Sequence, residues 1–405
     1  MFQTSTSGRP KPSITFQTSA AGNGKKAGTF AILLVALLTA SGCSGPSGSD
    51  VRQAFDEAAL SSASQSIDAL RAGNYEEPPS EAPTPVKDAN IWIVSCGQMS
   101  AGCAGISAGA QEAASSLGWE ANLCDGKLDP GAMSACVRSA ITAGADSVVL
   151  AGIDCQAIQQ PLLEARTAGV ETVGVLAFDC DSSGGEPLFS ASTKFTTQYP
   201  TLKEWADASG RARADWVIDA TSGNAKAITL FALSSTITTV QNDAFVKRIQ
   251  ECSSCSVSEG VALSDGDLGG GQVRAKFESA LLKSPEANAV ATPADTFFLL
   301  GLETAITGSG KSDSLHTIGG EGNGQNLDFI AKNQGEDATL AVANGWLGYA
   351  AVDTAIRVLA GQPGVTQGIG FQLVDKDNVA DVTLAGHYNP PVDYIAAYRK
   401  AWGLQ

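Results

Sequence analysis

The 405-residue sequence has little histidine, little positive charge and no apolar run long enough to cross a bilayer. His316 and His387 are its two histidines. A zinc site needs a full set of nitrogen and sulfur ligands, and a hydrolytic triad needs a placed imidazole, so this scarcity argues against both. Lysine and arginine number 26 against 42 acidic residues, for a formal net charge of −16 and a pI of about 4.5. Such a chain repels nucleic acid backbones, which excludes DNA or RNA as a partner. No repeat of about 20–50 residues is visible, which excludes a solenoid. The apolar run at 30–40 falls short of the roughly 20 residues that span a membrane.

That run nevertheless has a meaning. Lys25 and Lys26 precede it and small residues follow it, the layout of an export signal. Thr39-Ala40-Ser41-Gly42-Cys43 resembles the lipobox of bacterial lipoproteins. The resemblance implies cleavage after residue 42 and lipidation of Cys43, with several acyl chains giving a stable anchor on the outer face of the cell membrane. Residues 43–88 read as a tether. "SGPSGSD" has linker composition, and Val51, Ala54, Phe55, Ala58, Ser62, Ile67 and Leu70 form a broken helical stripe. "NYEEPPSEAPTPVKDA" is rich in Pro and Glu and should be extended, holding a folded body away from the membrane.

From Asn90 a rhythm begins. Short apolar strands are predicted at 90–94, 120–124, 146–152 and 170–179, alternating with helices at 103–119, 129–144 and 154–169. A long helix at 198–221 opens a second series. Its strands lie at 225–233, 256–263, 287–292, 316–322 and 337–343, its helices at 237–251, 269–285, 295–308, 325–333 and 346–361. The segment 368–375 ends the pattern. Alternation of this kind means βαβ units and parallel sheets buried on both faces. Two α/β halves would place their loops, at the carboxyl ends of the strands, around one cleft.

The stretch from "IWIV" to "VLAFD", with "GAQEAASSLGW", a "DP" helix start closing on "AITAGADSVVLAG", and "AGVETVGVLAFD", resembles the first lobe of type I periplasmic binding proteins. These are the ribose- and galactose-type solute receptors of ABC importers. "ATPADTFFLLGLETA", "TIGGEGNG" and "ATLAVANGWLGYAAVDTAIRVLAG" fit the second lobe more loosely. The resemblance covers residues 90–375. It implies two Rossmann-like lobes joined by a hinge, one from 89–196 plus 345–366 and the other from 197–344 plus 367–405. Transcription repressors share this lobe pair but carry a DNA-binding helix pair and no export signal, so that reading is rejected.

The resemblance also implies a ligand set. Gln98, Met99 and Ser100 occupy the first loop, Asp154 follows the third strand, and Asp179 matches a sugar-binding Asp, although Cys180 replaces the Arg that usually follows. Ser234, Ser235 and Thr236 stand where family members offer an Arg. Asp295 remains of an Asn-Asp pair, Glu321 replaces an Asp, and Val342, Ala343 and Asn344 occupy the hinge position, with Trp346 after them. Phe178, Phe297, Phe298 and Trp346 could offer stacking faces or simply fill the core. Asp154 and Asp295 could equally cap helices. Exchanging sugar-binding groups for Cys, Ala and Val suggests a less hydroxylated or bulkier ligand.

Cys43 apart, eight cysteines in an exported protein read as disulfides. Eight allow roughly a hundred pairings. Strand–loop topology prefers Cys96–Cys103 around the first loop, Cys124–Cys136, Cys155–Cys180 in neighbouring loops, and Cys252–Cys255. The last is a CxxC, but it falls at the negative end of a helix, which opposes a redox thiolate. Three other motifs fail on context: the "GISAG" serine, Ser107, lies inside a helix; "GSGKS" follows a helix; and the calcium-like "DGDLGGGQVRAK" carries Gly269 and Lys276 at ligand positions. The reading is a lipid-anchored monomeric solute receptor working with a membrane permease and its ATPase, without metal or cofactor. A ligand sensor for a signalling system, or a cleft hydrolase using Ser107, are the alternatives.

Overall fold

The computed structural model describes residues 48–404, so the expected signal region and Cys43 lie outside the described residues. The chain opens with α1 (Gly48–Ala72). The first lobe follows as β1 (Asn90–Ser95), α2 (Ala101–Ser116), β2 (Glu120–Asp125), α3 (Pro130–Thr142), β3 (Ser147–Ala151), α4 (Gln159–Ala168), β4 (Glu171–Val175) and a two-residue β5 (Ala191–Ser192). Its sheet is parallel, in the order β2-β1-β3-β4-β5. Local sequence explains the helix ends. Asp129 caps α3 through a 2.7 Å bond from the Ala132 N–H, with Pro130 in the first turn, and Gly169 ends α4 at φ 73°.

The second lobe runs α5 (Leu202–Ala220), β6 (Lys226–Ala232), α6 (Thr236–Ile249), β7 (Ser256–Leu263), α7 (Asp265–Gly269), α8 (Val273–Lys283), β8 (Ala289–Ala291), α9 (Glu303–Gly308), β9 (His316–Glu321), α10 (Gly324–Lys332) and β10 (Ala338–Ala341). Then α11 (Asn344–Leu359) returns to pack on α2 and β4 of the first lobe. Helices α2 and α11 lie so close that a Cβ on Gly348 would sit 2.3 Å from the Ala110 nitrogen. β11 (Gln372–Asp375) rejoins the second sheet antiparallel to β10, giving the order β11-β10-β9-β8-β6-β7. The chain ends in α12 (Val379–Val382), a small hairpin of β12 (Thr383–Leu384) and β13 (His387–Tyr388), and α13 (Tyr394–Ala401). The two lobes are thus connected by three passages, near residues 193–201, 342–343 and 360–371.

Two expected helices differ from those observed. The helix expected at 269–285 begins only at Val273, as α8, with Gly270 and Gly271 separating it from the short α7 ahead of it, and 295–308 is broken at Gly301, whose φ of 111° no L-residue adopts easily.

The expected tether is the larger correction. Over the described residues it docks on the body. Ala59, Ala63 and Ile67 are buried where α1 packs on α5. Arg71 pairs with Asp375 at 2.7 Å. Beyond the helix the chain is extended, as its proline content suggests, yet it is held along its length. The Asn74 N–H donates to Phe371 O and the Glu76 N–H to Gly368 O. The Glu76 carboxylate accepts from the Thr197 N–H and hydroxyl, and the Tyr75 hydroxyl donates to Ala341 O. Tyr75 stacks on Trp346 at 5.4 Å between ring centroids. This strap therefore touches segments at all three inter-lobe passages. Its backbone polar groups find partners on the body, which stabilises docking over free extension.

Candidate functional site

All four preferred cysteine pairings are present. Three of them fix first-lobe loops at the carboxyl ends of strands. Cys96–Cys103 ties the end of β1 to the first turn of α2, Cys124–Cys136 ties β2 to α3, and Cys155–Cys180 joins the loops after β3 and β4. The second lobe faces these loops. The Asp154 carboxylate accepts from the Phe178 N–H at 2.8 Å in its own lobe and from the Thr236 N–H at 3.0 Å across the gap. The Ala101 N–H donates to the Thr296 hydroxyl, and Gly105 abuts Asn344. Gly102 lies against Glu321 so tightly that a Cβ would fall 2.3 Å from its Oε1.

Between these contacts lie two chambers. One, of about 60 Å³, is walled by Trp205, Ser209, Arg213, Gln241, Glu321 and Asn344, among others. The second, of about 160 Å³, is lined by Ile106, Leu128, Met133, Ile153, Leu268 and the Cys96–Cys103 bridge, with Asp154, Ser234, Ser235 and Asp265 also on its walls. Leu176, Ile237, Thr238 and Glu321 line both, so the chambers adjoin. An open groove of about 820 Å³ lies outside them, against Phe178, Asp179 and Thr236.

Glu321 ends β9 at φ 111°, a strained conformation for a residue with a side chain. Burial first, and Asp295 second, push its carboxyl up to about 8. Behind it Asp295 is fully buried, accepting from the Gly320 N–H at 2.8 Å, the Asn323 N–H at 2.9 Å and the Thr339 hydroxyl at 3.0 Å. Burial raises Asp295 to about 7 against these bonds. Glu336 presents an oxygen to the same spot over Gly319 as Asp295 does, and burial, with Asp295 beside it, holds its carboxyl well above the usual carboxylate range. Arg213, 3% exposed on α5, is lowered to about 9 by burial, against the pull of Asp295 and Glu321.

Of the residues singled out in the sequence, Asp154, Ser234, Ser235, Glu321 and Asn344 line the two chambers. Thr236 begins α6 and donates to Asp154. Asp179 and Phe178 lie on the outer groove. Asp179 accepts from the N–H groups of Cys180, Leu188 and Phe189, which organises that loop. Gln98 turns inward to Ser95 and Ser107, Met99 is half exposed, and Ser100 precedes α2; none lines a chamber. Phe297, Phe298 and Trp346 belong to the core rather than to a stacking face in the cleft. Trp346 lies between Tyr75 and Tyr394, and its indole N–H donates to Gln367 O. Asp295 holds backbone and does not reach the chambers. Sequence reasoning missed Arg213, Trp205 and Gln241.

The decoy motifs resolve on geometry. Ser107 is buried and donates to Cys103 O at 2.7 Å, as a helical serine does, which leaves no nucleophile. In the calcium-like segment, Lys276 occupies the Asp267 carboxylate at 2.7 Å. Among the described residues, the cluster with metal-ligand spacing is Cys155, Asp179 and Cys180, whose two sulfurs are already bonded to each other.

Among solved structures, the fold is similar to an ABC transporter solute-binding protein from Mycobacterium smegmatis with bound glycerol. The two share 18% identity at a TM-score of 0.61, over 74% of this chain and 99% of that one. A 5-methylthioribose transporter solute-binding protein from Thermotoga lettingae gives 18% identity and a TM-score of 0.62, over 81% and 95% of the two chains. An ABC transporter solute-binding protein from Bacillus halodurans with bound myo-inositol gives 17% and 0.60, over 73% and 97%. No curated protein matches the sequence. The periplasmic binding protein domain model matches residues 91–363. With that match over most of its length, and two α/β lobes enclosing chambers at their strand ends, the chain belongs to the periplasmic binding protein domain family, whose members are solute receptors and not enzymes.

Proposed function

We propose that this protein is the extracytoplasmic receptor of an ABC importer, capturing a small molecule between its lobes and presenting it to a permease with its ATPase. The observation that carries this reading is the pair of adjoining chambers with walls from both lobes: Ile106, Ile153 and Leu176 from one, Ser235, Ile237 and Glu321 from the other. A ligand seated there contacts both lobes only when they are closed, so binding favours closure by its differential affinity for that state. The similar structures named above carry glycerol, 5-methylthioribose and myo-inositol, which supports a small polar or semi-polar solute as the starting class.

Lipid attachment at Cys43 completes the reading. Cys43→Ser should release the protein from the membrane fraction; a variant that stays there contradicts the anchor. A thermal-shift screen of polyols, pentoses, hexoses, nucleosides and aromatic acids tests the receptor itself, because a ligand that binds only the folded state raises the melting temperature. No shift from any class would contradict the receptor reading.

A further inference from the structure

Two residues that wall the smaller chamber each carry a buried donor with nothing to donate to. Arg213 is 3% exposed and its Nη2 has no acceptor; Trp205 is 2% exposed and its indole Nε1 has none either. Both side chains wall the same chamber of about 60 Å³. An unpaired buried donor costs roughly 1–3 kcal/mol, and more when charged, so two on residues walling one cavity mark a place for an acceptor that comes from outside the chain. The nearby carboxylates do not fill it. Asp295 is committed to Gly320, Asn323 and Thr339, and Glu321 accepts from the Asn323 side chain at 3.2 Å.

The adjoining chamber has the opposite character. Ile106, Leu128, Met133, Ile153, Leu268 and the disulfide supply most of its wall. Several of its polar members are already satisfied within the protein. Both Asp154 oxygens accept backbone N–H groups, the Ser234 hydroxyl donates to Asp265, and the Thr238 hydroxyl donates to Ala232 O. A ring crowded with hydroxyls would find few partners there and would lose its water, which is unfavourable. The volume of about 160 Å³ is of the order that accepts a benzene-sized apolar group, about 150 Å³.

We propose that the ligand is a small amphipathic carboxylic acid, its carboxylate received by Arg213 and Trp205 and its apolar body filling the neighbouring chamber. This deepens the receptor reading above and rests on it. A guanidinium suits a carboxylate because its planar donors match the two oxygens. Glu321 does not oppose the anion near neutral pH, because its raised carboxyl is then protonated and can donate to it. A phosphate dianion is disfavoured, because the single guanidinium of Arg213 offers one positive charge against two negative ones.

Matched probes test the assignment on the intact protein. Calorimetry and thermal shift would compare 3-phenylpropionate and phenylacetate with 3-phenylpropanol, phenylacetamide, phenyl phosphate, galactose and myo-inositol. The acids should bind at least about tenfold more tightly than their neutral analogues, as expected for a charge-assisted bond in a buried site. Trp205→Phe keeps the ring and removes the N–H, and should weaken the acids about threefold to tenfold, the worth of one hydrogen bond. Arg213→Gln should abolish the preference for acid over alcohol. Because the comparison on the native chain needs no variant, misfolding of either variant leaves the test standing. Neutral analogues or phenyl phosphate binding as tightly as the acids would overturn the proposal, as would a folded Arg213→Gln variant that keeps the acid preference. Binding of galactose or myo-inositol without the acids would overturn it while leaving the receptor reading intact. No binding by any probe would overturn the proposal, and failure of the broader screen as well would remove the receptor reading.

Discussion

The two lobes hold their cleft-facing loops by different means. In the first, sulfur does it: three bridges staple the segments after β1, β2, β3 and β4, and the core behind them is largely aliphatic. In the second, buried carboxyl groups do it. Asp295 ties the segment after β8 to β9 and β10, Glu336 and Asn326 brace it, and the fourth bridge, Cys252–Cys255, lies at the far end of the sheet, before β7. A disulfide acts mainly on the unfolded chain and is indifferent to pH, whereas a buried acid acts on the folded state and responds to protons. The first lobe is thus a redox-dependent wall and the second a proton-dependent one.

The largest effect should come from breaking the carboxyl network. Asp295→Ala leaves buried N–H groups of Gly320 and Asn323 and the Thr339 hydroxyl without an acceptor, and should cost about 3–5 kcal/mol in urea unfolding. A loss below about 1 kcal/mol would mean that the network is not what holds these loops. Removing the Cys155–Cys180 bridge as the double alanine variant should cost about 2–4 kcal/mol, with faster hydrogen exchange around β4 and none added in β9 or β10. Exchange spreading equally through both lobes would erase the contrast.

Proton dependence sharpens it further. Asp295 and Glu321 have folded values near 7 and 8 against ordinary values of 3.8 and 4.5, so the folded protein binds more protons than the unfolded chain between these limits. Their contribution is fully present below the ordinary values and is lost as pH rises through the raised ones. Melting temperature should therefore fall from about pH 5 to about pH 8, and Glu321→Gln should flatten the curve. A native protein with no such decline would contradict the proton-dependent wall. The smallest effect belongs to the surface of the sulfur-held lobe. The exposed Arg138–Glu164 pair, 2.7 Å apart, should contribute less than about 1 kcal/mol, so Arg138→Ala should melt near the native value.

Much of this architecture was legible in the sequence, because βαβ periodicity and capping are local. Gly169 after one helix and Asp129 before another mark their boundaries wherever the chain goes next. Cysteine pairing was legible too, since residues at neighbouring strand ends must meet once the sheet is parallel. The strap was not. Its composition gives an extended backbone correctly, but its docking depends on Phe371 and Gly368, about 300 residues away, and on Trp346 offering a ring to Tyr75. The chamber donors were hidden for a related reason. Arg211 and Arg213 look alike on one helix, yet Arg211 pairs with Glu251 at the surface, while Arg213 is enclosed because β9 brings Gly320 against its guanidinium. Conversely, Asp179 and Trp346 matched functional positions by type and were taken up by loop and core.

The measurement that bears most directly on the account is a crystal structure of the protein with the compound giving the largest thermal shift. That compound should lie between the lobes, in contact with Arg213 and Glu321 on one side and with Ile106 or Ile153 on the other. A ligand resting on one lobe alone, or in the outer groove beside Asp179, would contradict it.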